Sequence, residues 1–292
     1  ILDADLSDDL NLKSFYNKFP KRFIQNGIAE QDMVSMAGGI ARMGLTPIVN
    51  SFASFLTARG NEQIYNNASE NTKIIYISLY AGAIPAGAGK SHQSLRDISL
   101  LSNIPNFKIF HPYNAVETYS ILRHCLKNQE RNNCAIRLSI GPMSINSPKY
   151  ISKYKFEEGK GSEITKGTDA IIFTYGQTMI YQAFKAAKLL KRQKKISIQV
   201  INLPCLNFFN KRWFEKKIKN FKNIFFLDDH NINGGMGDLL IAFLVSQNLS
   251  KNKNFKKFGF KEFPACGATE EVLKYHKLDF KNLSLKIYKY LK

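Results

Sequence analysis

Arg22-Phe-Ile-Gln-Asn-Gly-Ile-Ala-Glu30-Gln-Asp-Met33 is the stretch on which the reading of this chain turns. Gly27 marks a loop, and apolar residues at helical spacing follow it, so Glu30 is expected to open a helix continuing through Gln31 to Met43. The helix dipole favours an acidic residue at such a start, and taken alone Glu30 is no more than that. Its surroundings give it weight. Downstream, Leu45 to Asn50, Lys73 to Leu79 and Phe107 to Phe110 read as short buried strands, Ala115 to Leu126 as a helix, and Ala135 to Ser139 as a further strand. Strands alternating with helices imply a parallel sheet covered on both faces.

A pattern-poor segment rich in Gly, Pro, Ser and Lys, Gly141 to Gly167, reads as a linker. A second alternation follows it. Strands are expected at Asp169 to Tyr175, Ile196 to Ile201 and Asn223 to Leu227, with helices at Met179 to Leu190, Met236 to Val245 and Asn282 to Leu291. The fold class is therefore α/β, with two parallel-sheet domains at about residues 1–150 and 160–292.

Composition narrows the function classes. The chain has 292 residues, 44% hydrophobic and 22% charged, the profile of a globular protein with room for two cores. No apolar run approaches the roughly 18 residues of a membrane span, so no membrane partner is expected. The first residues, Ile1 to Leu6, lack the basic start of a signal peptide, and the chain does not begin with Met. Cys125, Cys134, Cys205 and Cys266 form no CxxC pair, and the five histidines show no metal-ligand spacing. Free thiols in a reducing, cytoplasmic setting and no metal held by this chain are the expectation. The net charge of +19 is the unusual number. Its densest runs, Lys188 to Lys195 and Lys211 to Lys222, look like solvated helix surfaces, which favours a composition bias over nucleic-acid binding. An acidic partner or a phosphorylated substrate would use the charge equally well.

With these pieces in order, the sequence resembles the transketolase family, specifically its pyrimidine-binding domain (shared with deoxyxylulose-phosphate synthase) followed by its C-terminal domain. The matching series is Asp3-Ala-Asp-Leu6, Phe19 to Gln31, Ala37-Gly-Gly-Ile-Ala41, Ser51-Phe-Ala-Ser-Phe-Leu56, Arg59 with Gln63-Ile64, Gly89-Lys-Ser-His-Gln93, Asp97-Ile-Ser99, Ile104-Pro-Asn106 and His111 to Thr118. Thr168 to Ile172 and Asp228-Asp-His230 with Gly234-Gly235 extend it through the second domain. The resemblance implies thiamine diphosphate as cofactor. It implies that Glu30 hydrogen-bonds N1′ of the aminopyrimidine, so that the imino tautomer's N4′ takes the thiazolium C2 proton. A carboxyl group can share that proton when buried, whereas an amide cannot. It further implies that Phe52, Phe55 and Ile28 line the pyrimidine pocket, with Phe55 stacking on the ring. His92 is implied to face the substrate, as donor or proton shuttle. Gly87 and Gly89 are expected to permit a close backbone approach there. The Asp228 to His230 segment is expected to serve the interface and folding of the C-terminal domain.

Departures from the family pattern concern the substrate. The positions that grip a sugar phosphate fall on Tyr80, on Ile140 and near Asp8 or Asp9, and the position that reads a sugar hydroxyl falls on Ala88. An Ile cannot replace a bidentate Arg, and an Asp repels phosphate. Cofactor activation is thus expected to be kept while the sugar substrate is non-standard. The Gly-Asp-Gly that precedes the Asn holding Mg2+ (or Ca2+) and diphosphate is not found in the sequence. The resemblance therefore implies an N-terminal partner subunit that binds most of the metal and diphosphate, in an α2β2 assembly. The alternatives are an E1 β-type subunit of a 2-oxo acid dehydrogenase, a non-catalytic assembly subunit, and a basic nucleic-acid binder.

Overall fold

The structure is a computed structural model and describes residues 1–9, 11–84, 86–128, 130, 132–139 and 155–292. Its first sheet is built from β1 (Leu2–Asp3), β2 (Ile24–Gln25), β3 (Ile48–Phe52), β4 (Ile75–Leu79), β5 (Lys108–Phe110) and β6 (Cys134–Leu138). The order is β2-β1-β3-β4-β6-β5, and every pairing is parallel. Helices α1 (Lys13–Lys18), α2 (Glu30–Arg42), α3 (Ala53–Arg59), α4 (Asn61–Ser69), α5 (Asp97–Leu101) and α6 (Ala115–Lys127) connect and cover it. The second sheet takes β7 (Ser162–Thr165), β8 (Ala170–Thr174), β9 (Ile198–Asn202), β10 (Asn223–Asn231) and β11 (Asn254–Phe260) in the order β11-β10-β8-β9-β7. Only its β7–β9 pairing is antiparallel. Helices α7 (Gln177–Lys194), α8 (Lys211–Ile218), α9 (Met236–Ser246), α10 (Thr269–Tyr275) and α11 (Phe280–Leu291) belong to this half. Both sheets are thus the expected parallel α/β type.

Three local expectations are corrected. Part of the expected linker is β7, an antiparallel strand whose residues are all half-buried. Ser162-Glu-Ile-Thr165 has no run of apolar residues to announce it, and its partnership with β9 comes from tertiary packing. Gly161 and Gly167 let its two ends lie against β9, because a Cβ would stand 2.6 Å from the Asn202 carbonyl oxygen or 2.2 Å from the Ile198 carbonyl carbon. Residues 141–154 of that segment lie outside the described residues. β3 begins at Ile48 rather than Leu45, which is 65% exposed ahead of Pro47. Lys211 to Lys222 is helical only to Ile218. The lysines of both runs are mostly exposed, on α7 and around α8.

Helix α2 shows why the local sequence folds as it does. Glu30, Met33, Val34, Ala37 and Gly38 are its buried residues, one face at helical spacing. Gly38 gives α4 close approach: a Cβ there would meet Asn67 Oδ1 at 2.1 Å, while the Asn67 amide donates to the Val34 carbonyl at 2.8 Å.

One apolar core runs through both halves, joining Leu2, Val49 and Ile98 to Phe173, Tyr175 and Phe226. At the junction lies a buried polar cluster. Arg137 on β6 is wholly buried and donates from Nε and Nη2 to Asp97 Oδ2 and Oδ1 at 2.7 and 3.1 Å. Its Nη1 is 2.8 Å from His111 Nδ1, and Nη2 donates to the Asp229 carbonyl of β10 at 3.3 Å. The Ala83 amide donates to Asp229 Oδ1 at 2.9 Å, and the Asn231 amide to the Leu95 carbonyl at 3.0 Å. Asp228 to His230 therefore sits at the contact between the two halves. Burial pushes the Asp228 and Asp229 carboxyls up to about 6 and holds His111 well below its ordinary value, with the Arg137 charge adding to the latter.

Removing one side of this pair strands the other in the interior. Arg137→Met is expected to cost about 3–5 kcal/mol of unfolding free energy in a urea titration. Combining it with Asp97→Asn should return a substantial part of that loss; strict additivity of the two changes would show that the pair is not coupled.

Candidate functional site

Three strand ends of the first sheet converge. Glu30 starts the helix after β2, Phe52 ends β3, and Tyr80 follows β4 directly. In doubly wound sheets the crevice outside the carboxyl ends of the strands is where ligands bind. The loop from Tyr80 to Arg96 then brings His92 to the same place.

Glu30 is 3% exposed although it is a carboxylate. Burying such a charge requires partners, and it has two. The Ser51 hydroxyl donates to Oε1 at 3.2 Å, and Arg59 Nη1 lies 3.1 and 3.0 Å from Oε1 and Oε2. Gly60 keeps the α3–α4 corner close to α2, since a Cβ would touch Val34 at 3.2 Å.

Around Glu30's partner stands a group of rings. Phe52 and Tyr80 are stacked, with centroids 4.7 Å apart and planes 18° apart. Phe55 meets Phe52 edge-on at 5.8 Å, and His92 meets Phe52 and Phe55 at 5.4 and 5.0 Å. The Arg59 guanidinium lies over the Phe55 ring, 4.0 Å from its centroid. Tyr80 reaches its place through a left-handed backbone, φ 52°. Burial raises its phenol above the ordinary value, and the nearby charge of Asp9 adds to this, so the hydroxyl is neutral. The His92 ring contacts the Ser91 hydroxyl through Nδ1 at 3.0 Å. Its loop is tied to the second half by Gln93, whose amide donates to the Ala83 and Ala265 carbonyls at 2.8 and 3.0 Å.

The structure thus gathers Glu30, Phe52, Phe55, Tyr80 and His92. The Ile28 side chain is 72% exposed, on the loop just before Glu30. Ala88 is also exposed. Gly89 is explained by its φ of +86° rather than by crowding, and a Cβ at Gly87 would meet nothing within 4 Å. Ile140 lies outside the described residues. Asp8 is exposed and pairs with Lys13 at 3.0 Å. The sequence reading gave Ser51 and Arg59 no role. The signal for Arg59 was its spacing, four residues after Phe55 on one helix, which sets the two side chains on one face.

An acceptor carboxylate beside aromatic faces suits a flat heterocycle with ring nitrogens and an amino group, so these residues fit the pyrimidine half of thiamine diphosphate. Among the described residues, no group of three or more His, Cys, Asp or Glu side chains could hold a metal ion, and no helix is long and apolar enough to cross a membrane. Cys125, Cys134 and Cys205 are buried and Cys266 exposed, all as free thiols.

Comparison with known proteins gives two family matches in succession: a transketolase pyrimidine binding domain over residues 1–141 and a transketolase C-terminal domain over residues 159–283. The chain is 29% identical over 304 residues to a Methanocaldococcus jannaschii protein named as a transketolase C-terminal section, covering 100% of this chain and 90% of that one. It is 26% identical to one of the subunits of the apulose-4-phosphate transketolase of Actinobacillus succinogenes, covering 94% and 87%. Against the 1-deoxy-D-xylulose-5-phosphate synthase of Clostridium tetani, 31% identical, it covers 95% of itself but spans only 44% of the relative. Among solved structures, a split gene transketolase described as an inactive β4 tetramer superposes with a TM-score of 0.84 at 26% identity, over 99% of this chain and 90% of that one.

Glu30→Gln separates a functional carboxylate from a structural one. The amide keeps the Ser51 bond and loses an ion pair whose arginine side chain is 48% exposed. Its unfolding free energy in urea should stay within about 1 kcal/mol of wild type; a loss of several kcal/mol would assign Glu30 to the fold instead.

Proposed function

The chain belongs to the transketolase family, and we propose that it is the C-terminal subunit of a two-subunit, thiamine-diphosphate-dependent transketolase that moves a two-carbon ketol unit between sugars. The observation that carries this is the buried Glu30 carboxylate, joined through Arg59 to the ring of Phe55 and so to the group of Phe52, Tyr80 and His92. In this reading the Glu30 carboxyl shares a proton with the pyrimidine N1′, Phe55 supplies the stacking face, and Phe52 and Ile28 complete the pocket wall. His92 donates to the substrate oxygen or takes its proton, a task suited to an imidazole near neutral pH. Tyr80 and Ala88 border the sugar. Bound thiamine diphosphate supplies a nucleophilic carbon that can hold the two-carbon unit.

An N-terminal subunit would bring the diphosphate site and its Mg2+ (or Ca2+), in an α2β2 enzyme of the cytoplasm. The Actinobacillus relative is named as one subunit of its transketolase, which supports a division of the enzyme between chains. The description of the split gene relative as an inactive β4 tetramer supports a subunit inactive without its partner. The domain division at about 1–150 and 160–292 follows the same reading, with the first half holding the pyrimidine and the second fastening the His92 loop through Gln93. Neutral Tyr80, with Asp9 nearby, supports a substrate other than a standard pentose phosphate, because neither group neutralises a phosphate. The transketolase names among the relatives favour this reading over an E1 β-type subunit.

The test is steady-state kinetics of the complex with its partner subunit. Xylulose 5-phosphate and ribose 5-phosphate should be poor substrates, and efficient turnover of that pair would remove the substrate proposal. With whatever sugar pair is turned over, Glu30→Gln should lower kcat on the order of 10²- to 10⁴-fold. Retained activity would remove the assignment of Glu30.

A further inference from the structure

The geometry points to Arg59 as a displaceable gate on the pyrimidine pocket: it holds Glu30 and covers Phe55 until the cofactor takes its place. The inference rests on the reading of the site given above and deepens it.

Three observations combine. Arg59 Nη1 contacts both oxygens of the Glu30 carboxylate, at 3.1 and 3.0 Å, which is the group meant for the ring nitrogen. Its guanidinium carbon lies over the Phe55 ring, 4.0 Å from the centroid, within the separation a stacked heterocycle would adopt. The two partners differ in burial: the Glu30 side chain is 3% exposed, the Arg59 side chain 48% exposed, with solvent on one side of it. A planar cation on the carboxylate and over the aromatic face mimics a protonated aminopyrimidine in shape and charge.

Two physical arguments make the contact a gate rather than part of the working site. A guanidinium on Glu30 occupies both carboxylate oxygens, which N1′ has to reach. It also opposes the positive charge that N1′ gains on protonation. Yet Arg59 has a use in the unassembled chain, because without it a carboxylate would be buried with only the Ser51 hydroxyl beside it. The hold is weak enough to break, since an ion pair with one partner half in water contributes little net energy.

The experiment measures thiamine diphosphate affinity by calorimetry on the complex with the diphosphate-binding subunit. Arg59→Met keeps the length of the stem and removes the cation. It should tighten cofactor binding about two- to fivefold, the range of an exposed ion pair. Arg59→Lys, which keeps the charge but loses the planar fork, should shift affinity in the same direction by less. In a Glu30→Gln background the Arg59→Met gain should vanish, because the contact being relieved is already lost. Unchanged or weaker binding in Arg59→Met, or the same gain with and without Glu30, overturns the gate. A wild-type complex that binds no thiamine diphosphate overturns instead the functional reading beneath it.

Discussion

A guanidinium with no access to water is the constraint on which this molecule is organised. Arg137 cannot be neutralised by losing its proton, so its donors must be met where it lies. Asp97 meets two of them, His111 a third and the Asp229 carbonyl another contact. These partners come from α5, from the end of β5 and from β10 of the other sheet, so satisfying one side chain fixes two halves of the protein against each other. Close backbone contact follows. Gly82 lies where a Cβ would stand 2.2 Å from the Asp229 carboxylate, and Gly176 where one would stand 2.7 Å from His111 Nε2. A neutral His111 can accept from the arginine, which agrees with the depression of its basicity by burial and by that same charge.

The candidate site inherits its geometry from this junction. The loop between β4 and α5 carries Tyr80, Ala88 and His92, and the second half fastens it at Ala83, Gln93 and Leu95. On the other side, β3 delivers Phe52, and the packing of α2 against α4 delivers Glu30. The second half thus contributes no ring to the gathered group, yet it sets where one member, His92, can stand. A polar pocket wall built this way has one face made by this chain, and a carboxylate there that is balanced by a half-exposed cation rather than by a buried one.

Much of this was readable from residues, for physical reasons that differ by element. Strands β3, β4, β8 and β10 are buried runs of branched and aromatic residues, and parallel strands covered on both faces have to read that way. Strand β11, Asn254-Phe-Lys-Lys-Phe-Gly-Phe260, escaped because it lies at a sheet edge with two lysines and a glycine in it. Strand β7 escaped for the related reason that its side chains are all half-buried. Glu30, Phe52, Phe55 and His92 were legible through an ordered series of short motifs, and the structure brings these four together although His92 is sixty-two residues from Glu30 in sequence. Ile28 was placed in the pocket by motif position alone, and its exposure shows what such placement leaves open: a loop residue's direction depends on what packs on it. The ion pair of Arg59 with Glu30 and the stacking of Tyr80 on Phe52 depend on how α3 and the β4 end are set against α2 and β3, which no local pattern encodes.

The central claim is that this chain holds one half of a cofactor site. Calorimetric titration of thiamine diphosphate with its divalent cation tests it most directly, on this chain alone and again after mixing with the diphosphate-binding subunit. The account predicts weak or undetectable binding alone and saturable binding, stoichiometric with Glu30 sites, in the mixture. Tight binding by the isolated chain, or a mixture that binds no better than its parts, would contradict it.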